Sequence, residues 1–506
     1  MRVLIQTSLT LLGLTAFAAT AADVRLVEAV KSGDRTAALA LIAAHADVNA
    51  PEVDGTTSLH WAVHQADVEL VERLIRSGAR PEVRNNYGGT PLAEAAVAAN
   101  TTLLKLLLEA GANVNSANAD GQTALMVVAR TDNVDAARLL LRHGAQVNAV
   151  EQWRGQTALM WAAAEGQAAM VKALAASGAD VNARSKVNNW DRGTTAEGTG
   201  LGAKYLPVGG LTALLFAARQ GHLDCARALV EAGADKDLQD PDGISPMVTA
   251  IVNAHYDVAK YLAESGADVN LADQFGRTAL WAAVDMHTLP HSTRPDTPES
   301  ETVSSTGLLE TILAHDAEVN VQLVTHPPYR SMGDRGSDNI LTIGATPLLR
   351  AAKAGDFVAI RMLLDKGADP NLATKPGVTP LMAATGVGSR DSDTRGRFKT
   401  EAEAIDSARM LLEAGASVNA AEGRGQTALH GAAFWGFTQL VQFLADHGAN
   451  LEAKDKQGKT PVDSAMGRAG GNGFSGTRID VHQDTADLLK KLIGTRETPT
   501  AKLLKN

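Results

Sequence analysis

The apolar residues of this chain fall in short runs that repeat in a fixed order. One run opens on Thr and places a Leu ahead of two alanines, as in Thr157-Ala158-Leu159 followed by Ala162-Ala163. At helical spacing this makes a narrow apolar stripe, and the small alanines let neighbouring helices approach closely. The second run, such as Leu106-Leu107 or Leu363-Leu364, fills a second helix. The Thr hydroxyl can cap a free N–H at the first helix, and Pro91, Pro347 and Pro380 are tolerated in its first turn. Gly111 and its counterparts end the second helix in a left-handed cap. An Asn/Asp-rich stretch then turns back as a short β-finger. The pattern predicts a unit of two helices and a finger.

The unit recurs along most of the chain. Thr90-Pro91-Leu92, Thr346-Pro347-Leu348 and Thr379-Pro380-Leu381 share one phrase, with degenerate copies at Thr57-Ser58-Leu59-His60, Thr123, Thr157, Thr212, Thr278 and Thr427-Ala428-Leu429-His430. A second phrase closes the unit: Gly111-Ala112-Asn113-Val114-Asn115, Gly178-Ala179-Asp180-Val181-Asn182, Gly266-Ala267-Asp268-Val269-Asn270. Both phrases together resemble the ankyrin repeat, whose period is about 33 residues with a Thr-Pro-Leu-His signature. The resemblance covers nearly all of Asp23 to Leu492 in about twelve units. It implies an all-α repeat solenoid of helix-turn-helix units with short β-fingers.

Breaks in the period predict insertions. Two fall between first and second helices, at about 289–306 and 388–404. Two lengthen fingers, at about 184–210 and 321–344, and one interrupts the last unit at about 467–479. The first pair reads as solvated loops, with Thr293-Arg294-Pro295-Asp296 and Ser389-Arg390-Asp391. The long fingers carry Trp190, Tyr205 and Tyr329, which are unusual in a purely solvating loop. They read either as jaws around a partner or as covers packed on neighbouring repeats. The solenoid is thus expected over 22–492, with 493–506 as a flexible tail.

The first 21 residues stand outside this frame. Met1-Arg2, the apolar run Val3 to Ala18 and Ala19-Thr20-Ala21 have the parts of a secretory signal peptide. The run is short for a membrane span; a retained anchor helix is the alternative. The expectation is a bacterial, exported chain, periplasmic or secreted, with no integral span after cleavage. The single cysteine, Cys225, sits among Leu223, Ala226 and Leu229 and reads as a buried thiol. The net charge of −10 and the absence of any Lys/Arg run longer than a pair argue against nucleic acid as partner.

Catalytic chemistry has little to build on. His287 and His291 have i, i+4 spacing, with His315 and His326 nearby, but Pro290 breaks the helix that would align them on a metal. Gly198-Thr199-Gly200-Leu201-Gly202 lacks the Gly-Lys-Ser/Thr ending of a phosphate loop. No Gly-x-Ser-x-Gly elbow occurs. The expectation is therefore no enzyme and no cofactor. His60 and His430 read as packing and hydrogen-bonding residues.

The resemblance implies which positions would face a partner. Fingertip residues are Tyr87, Trp153, Arg154 and Phe275; late first-helix positions hold His64, Arg219, Asp285, Met286, Phe434 and Trp435. Exposed Trp, Tyr, Phe, Met and Arg are the residues that binding hot spots use. Trp190, Tyr205 and Tyr329 complete the candidate set. The favoured reading is a monomeric, non-enzymatic scaffold of the bacterial cell envelope that binds an unidentified protein. An envelope small-ligand or glycan-binding module, or a metal-dependent enzyme built on the insertions, stand as alternatives.

Overall fold

A computed structural model describes residues 24–188, 209–288, 295–325, 340–389, 399–467 and 481–497. It is an all-α repeat solenoid with 24 helices among the described residues. The signal-like segment, Trp190, Tyr205, His291, His326 and Tyr329 lie outside them. The chain divides into two compact units, one ending at Val128 and resuming over Asn133–Gln146, the other comprising Ala129–Asp132 and the chain from Val147 on.

In the first unit the helix pairs are α1 (Arg25–Lys31) with α2 (Arg35–Ala43), α3 (Ser58–His64) with α4 (Val68–Arg76), and α5 (Pro91–Val97) with α6 (Thr101–Glu109). A fourth pair is α7 (Ala124–Ala129) with α8 (Val134–Arg142), the last residue of α7 being grouped with the second unit. The second unit begins with α9 (Ala158–Ala164) and α10 (Ala168–Ala176), α11 (Ala213–Gln220) and α12 (Leu223–Glu231), α13 (Pro246–Val252) and α14 (Tyr256–Glu264). It continues with α15 (Ala279–Thr288) and α16 (Ser305–Ala314), α17 (Pro347–Ala354) and α18 (Phe357–Asp365), α19 (Pro380–Thr385) and α20 (Glu401–Glu413). Its last pairs are α21 (Ala428–Phe434) with α22 (Thr438–Asp446), and α23 (Pro461–Ala465) with α24 (Gln483–Glu497). Within each unit, α7 apart, first helices pack on first helices and second on second.

Local chemistry explains these bounds. Thr90, Thr157, Thr212, Thr346 and Thr379 each accept a backbone N–H three residues on through their hydroxyls. The alanine pairs are fully enclosed: Ala95-Ala96, Ala162-Ala163, Ala217-Ala218 and Ala351-Ala352 are all 0% exposed. A larger side chain there would hold successive helices apart. Gly111 ends α6 at φ +96°, and Asp316 takes the same left-handed turn after α16 at φ +56°.

The fingers whose residues are all described are tight turns rather than extended ribbons. Isolated antiparallel bridges close three of them, at Pro51/Thr57, Ala117/Thr123 and Ala421/Thr427, a fourth bridge joins Val187 to Gly209, and no strand forms among the described residues. Several turns are stitched to the next by backbone bonds, such as Asn86 N to Asp54 O at 2.7 Å, Lys186 N to Arg154 O at 2.7 Å and Lys456 N to Arg424 O at 2.8 Å.

The closing phrase supplies a second stitch. The Asn115 side chain donates to Gly144 O at 3.1 Å and accepts from Gln146 N at 2.8 Å, one repeat on. Asn49, Asn148, Asn270, Asn320, Asn371 and Asn419 do the same. Asp237 stands in this position once; it accepts from Asp268 N, and the missing donor is supplied by Lys236 Nζ on Ser265 O.

Candidate protein-docking surface

Each described finger leads directly into the first helix of a repeat, so its tip lies near the N-terminus of that helix. The fifth finger shows how a tip is held. Glu151, 4% exposed, turns its carboxylate inward to accept from Trp153 N at 2.6 Å, Arg154 N at 2.7 Å and Gln156 N at 3.0 Å. The turn is thereby fixed while the Trp153 side chain stays 75% exposed. In the third finger Asn85 accepts from Tyr87 N at 3.1 Å and Gly89 N at 2.8 Å, and Tyr87 is 72% exposed.

The same turn at Phe275 has the opposite outcome. Asp273 accepts from Phe275 N at 2.8 Å, but the ring is only 7% exposed. The Arg277 guanidinium lies 5.2 Å from its centroid, and the next finger donates Val324 N to Phe275 O at 2.9 Å. Phe275 is therefore a covered residue, not the exposed anchor its position implied. Met286 and Asp285 are corrected likewise, at 0% and 7% exposed. The helix α15 runs on to Thr288, and Arg350 from α17 folds over its end, pairing Nε with Asp285 Oδ1 at 2.8 Å.

The remaining candidates divide between surface and core. Arg154 is exposed, His64 is exposed 3.5 Å from Glu94, and Phe434 is 41% exposed. Trp435 meets Phe434 edge-on at 5.6 Å but is half-buried, donating Nε1 to Gly386 O of the preceding repeat at 2.9 Å. Arg219 is half-buried at the end of α11, 5.0 Å over the Phe216 ring. At the described edges of the long finger between α16 and α17, Leu323, Ile340 and Leu341 pack inward around Trp281.

The histidines His60, His430 and His287 have structural partners. His60 completes a capping box on α3: Nδ1 accepts from Thr57 N at 3.2 Å, and Nε2 faces Gly89 O at 3.2 Å. His430 repeats this with Thr427 and Lys459 O. Burial holds both imidazoles below the usual His value. Trp281 occupies the same repeat position and donates Nε1 to Ala345 O, the matching carbonyl, at 3.3 Å. His287 lies 2.8 Å from Ser305 Oγ and 3.1 Å from Asp356 Oδ2, tying three helices together. Burial works against the Asp356 charge, but the His287 hydrogen bond and charge outweigh it and hold the carboxyl low. Cys225 is 1% exposed, and burial pushes its thiol up to about 12. Among the described residues no three His, Cys, Asp or Glu are grouped to hold a metal ion. None of the described helices is long and apolar enough to cross a membrane.

Two features went unread in the sequence. Arg130 lies 5.5 Å over the Trp161 ring and pairs with Glu165 at 2.9 Å. The closing-phrase asparagines bind the following repeat, a role that only the stacking reveals.

The family model for ankyrin repeats in three copies matches residues 26–118, 96–185, 197–273, 214–290 and 400–473, and the single-repeat model matches 343–375. Together these matches span more than half of the chain. The chain is similar to the human Ankyrin repeat and SOCS box protein 16, 34% identical over 131 residues, which are 26% of each protein. It is 37% identical over 122 residues to the human Ankyrin repeat domain-containing protein 63, covering 24% of this chain and 29% of that protein. A Caenorhabditis elegans homolog of transient receptor potential cation channel subfamily A member 1 is 28% identical over 123 residues, 24% of this chain and 9% of that protein. The match thus spans about a quarter of the length of the first two of these relatives.

Proposed function

The chain belongs to the ankyrin-repeat family, and from that premise we propose that it is a non-enzymatic scaffold of the bacterial cell envelope that docks a protein partner on its finger side. The observation that carries the reading is Trp153, 75% exposed on a turn whose backbone is fixed by the buried Glu151. A large aromatic ring held rigidly in water loses little conformational freedom on binding, which is what a docking anchor needs. Tyr87 offers the same arrangement in the first unit, with Asn85 in place of Glu151. Export rests on the Met1-Arg2 start, the apolar run and Ala19-Thr20-Ala21. N-terminal sequencing of the native protein tests it: a chain starting at Ala22 is expected, and one retaining Met1 in the cytoplasm contradicts it.

Affinity capture from the cell envelope tests the docking face. Trp153→Ala and Tyr87→Ala are each expected to keep the melting temperature within about 2 °C, since both side chains are exposed. At least one of them should lower partner affinity tenfold or more, as about 2 kcal/mol is typical of a hot-spot aromatic. Capture unchanged in the double variant contradicts the reading.

A further inference from the structure

Three helix ends of the second unit bring together a hydroxyl, an imidazole and a carboxylate. His287 stands in the last turn of α15, Ser305 opens α16, and Asp356 caps α18. His287 Nδ1 lies 2.8 Å from Ser305 Oγ, and its Nε2 lies 3.1 Å from Asp356 Oδ2. Burial opposes the Asp356 charge, but the hydrogen bond from His287 outweighs it and holds the carboxyl low. An ionised carboxylate only accepts, so His287 Nε2 carries the imidazole proton. Nδ1 is then a bare acceptor, and Ser305 donates its hydroxyl proton to it. A serine hydroxyl bonded to a base that a carboxylate orients is the arrangement that makes serine a nucleophile.

The surroundings suit an acyl group. Ser305 is half-buried. The N–H groups of Ser305 and Thr306, in the first turn of α16, have no carbonyl within the helix to bond. They can stabilise negative charge developing on an oxygen beside Ser305. Phe357 and Val358, which follow Asp356, are 49% and 38% exposed and offer apolar surface to an acyl chain.

We propose that Ser305 accepts an apolar acyl group from an ester, with His287 as its general base and Asp356 orienting that base. Ser305 Oγ attacks the ester carbonyl while its proton passes to His287 Nδ1. The bond to the alkoxy group then breaks, the proton moves from Nδ1 to the departing oxygen, and an acyl-serine and an alcohol result. The chain is itself the acceptor, so this is a modification of the scaffold. No finger residue takes part, and failure of the proposal leaves the docking face standing.

Incubation of the full chain with p-nitrophenyl butyrate tests this, read by nitrophenol release and by peptide mass spectrometry. A butyryl group on Ser305 is expected, while Ser304, exposed one residue away, stays unmodified. Ser305→Ala should abolish the adduct. Asp356→Asn isolates the role of the carboxylate. Its amide oxygen can still cap α18, as Asp356 Oδ1 does by accepting from Ala359 N at 3.1 Å. Its NH2 then faces His287 Nε2, drives the imidazole proton to Nδ1 and removes the base. Acylation should slow by about a hundredfold or more, with the melting temperature within about 2 °C of wild type. Butyryl groups shared equally between Ser304 and Ser305, or an unchanged rate in Asp356→Asn, overturn the proposal. A fluorophosphonate probe on the wild-type chain gives a second readout that needs no variant to fold. It should label Ser305 selectively, and no labelling there also overturns the proposal.

Discussion

His60 and His430 show how a signature residue acts through its protonation state. Each accepts the backbone N–H of its capping Thr through Nδ1, so that nitrogen must be unprotonated and Nε2 carries the proton toward the next finger's carbonyl. A proton on Nδ1 would oppose the Thr N–H. The folded value is depressed, so the unfolded chain binds the extra protons as pH falls through the ordinary His range near 6.5. Stability is therefore full above that value and falls as pH drops below it, by at most about 1.4 kcal/mol per histidine per pH unit. Urea midpoints at pH 7.5 and 5.5 should show this slope, and His60→Gln/His430→Gln, which keeps an acceptor in the capping box, should flatten it. An unchanged slope would remove the histidines from the account. Cys225 gives a second check at this scale. With its thiol pushed up to about 12 and 1% exposed, it should resist alkylation in the native protein and react once urea unfolds it.

At the scale of elements, successive repeats are matched in pairs of residues. Gly166, Gly221 and Gly436 end first helices where the next repeat brings His222, His255 or His482 against them, and a Cβ on Gly221 would collide with His255 Nδ1. Where the glycine is replaced by Ala99, the facing residue is Asn133, whose Nδ2 donates to Ala99 O at 2.7 Å. Gly221→Ala should thus cost about 1–3 kcal/mol by overpacking and φ strain, and His255→Asn should recover much of it. A double variant no better than the single would refute the pairing. Asp316, left-handed at φ +56° where most repeats have glycine and the first has His45, predicts the reverse: Asp316→Gly should raise stability by about 1 kcal/mol, read from the denaturation midpoint. The helix pairs were legible in the sequence because their determinants are local: a capping Thr, an alanine pair and a closing Gly recur in phase. The pairing of Gly221 with His255 was not, since its partner lies in the next repeat. Phe275 and Met286 were misplaced for the same reason. Their burial depends on Val324 and on the extra turn of α15 beneath Arg350, which the repeating phrase does not encode.

In each unit the repeats draw stability from their neighbours, while the tip residues Tyr87 and Trp153 stay exposed. A scaffold of this kind needs no converging catalytic cluster. It needs rigid anchors at the right places, and Trp153 above the inward-turned Glu151 meets that requirement. The measurement that tests the central claim most directly is site-specific photocrosslinking in the intact cell envelope. A photoreactive phenylalanine analogue is placed at Trp153 in one variant and at Arg138, on the exposed side of α8, in another. The account predicts a discrete protein adduct from position 153 and none from position 138. Adducts from position 138 alone, or none from either while a partner is still captured, would contradict it.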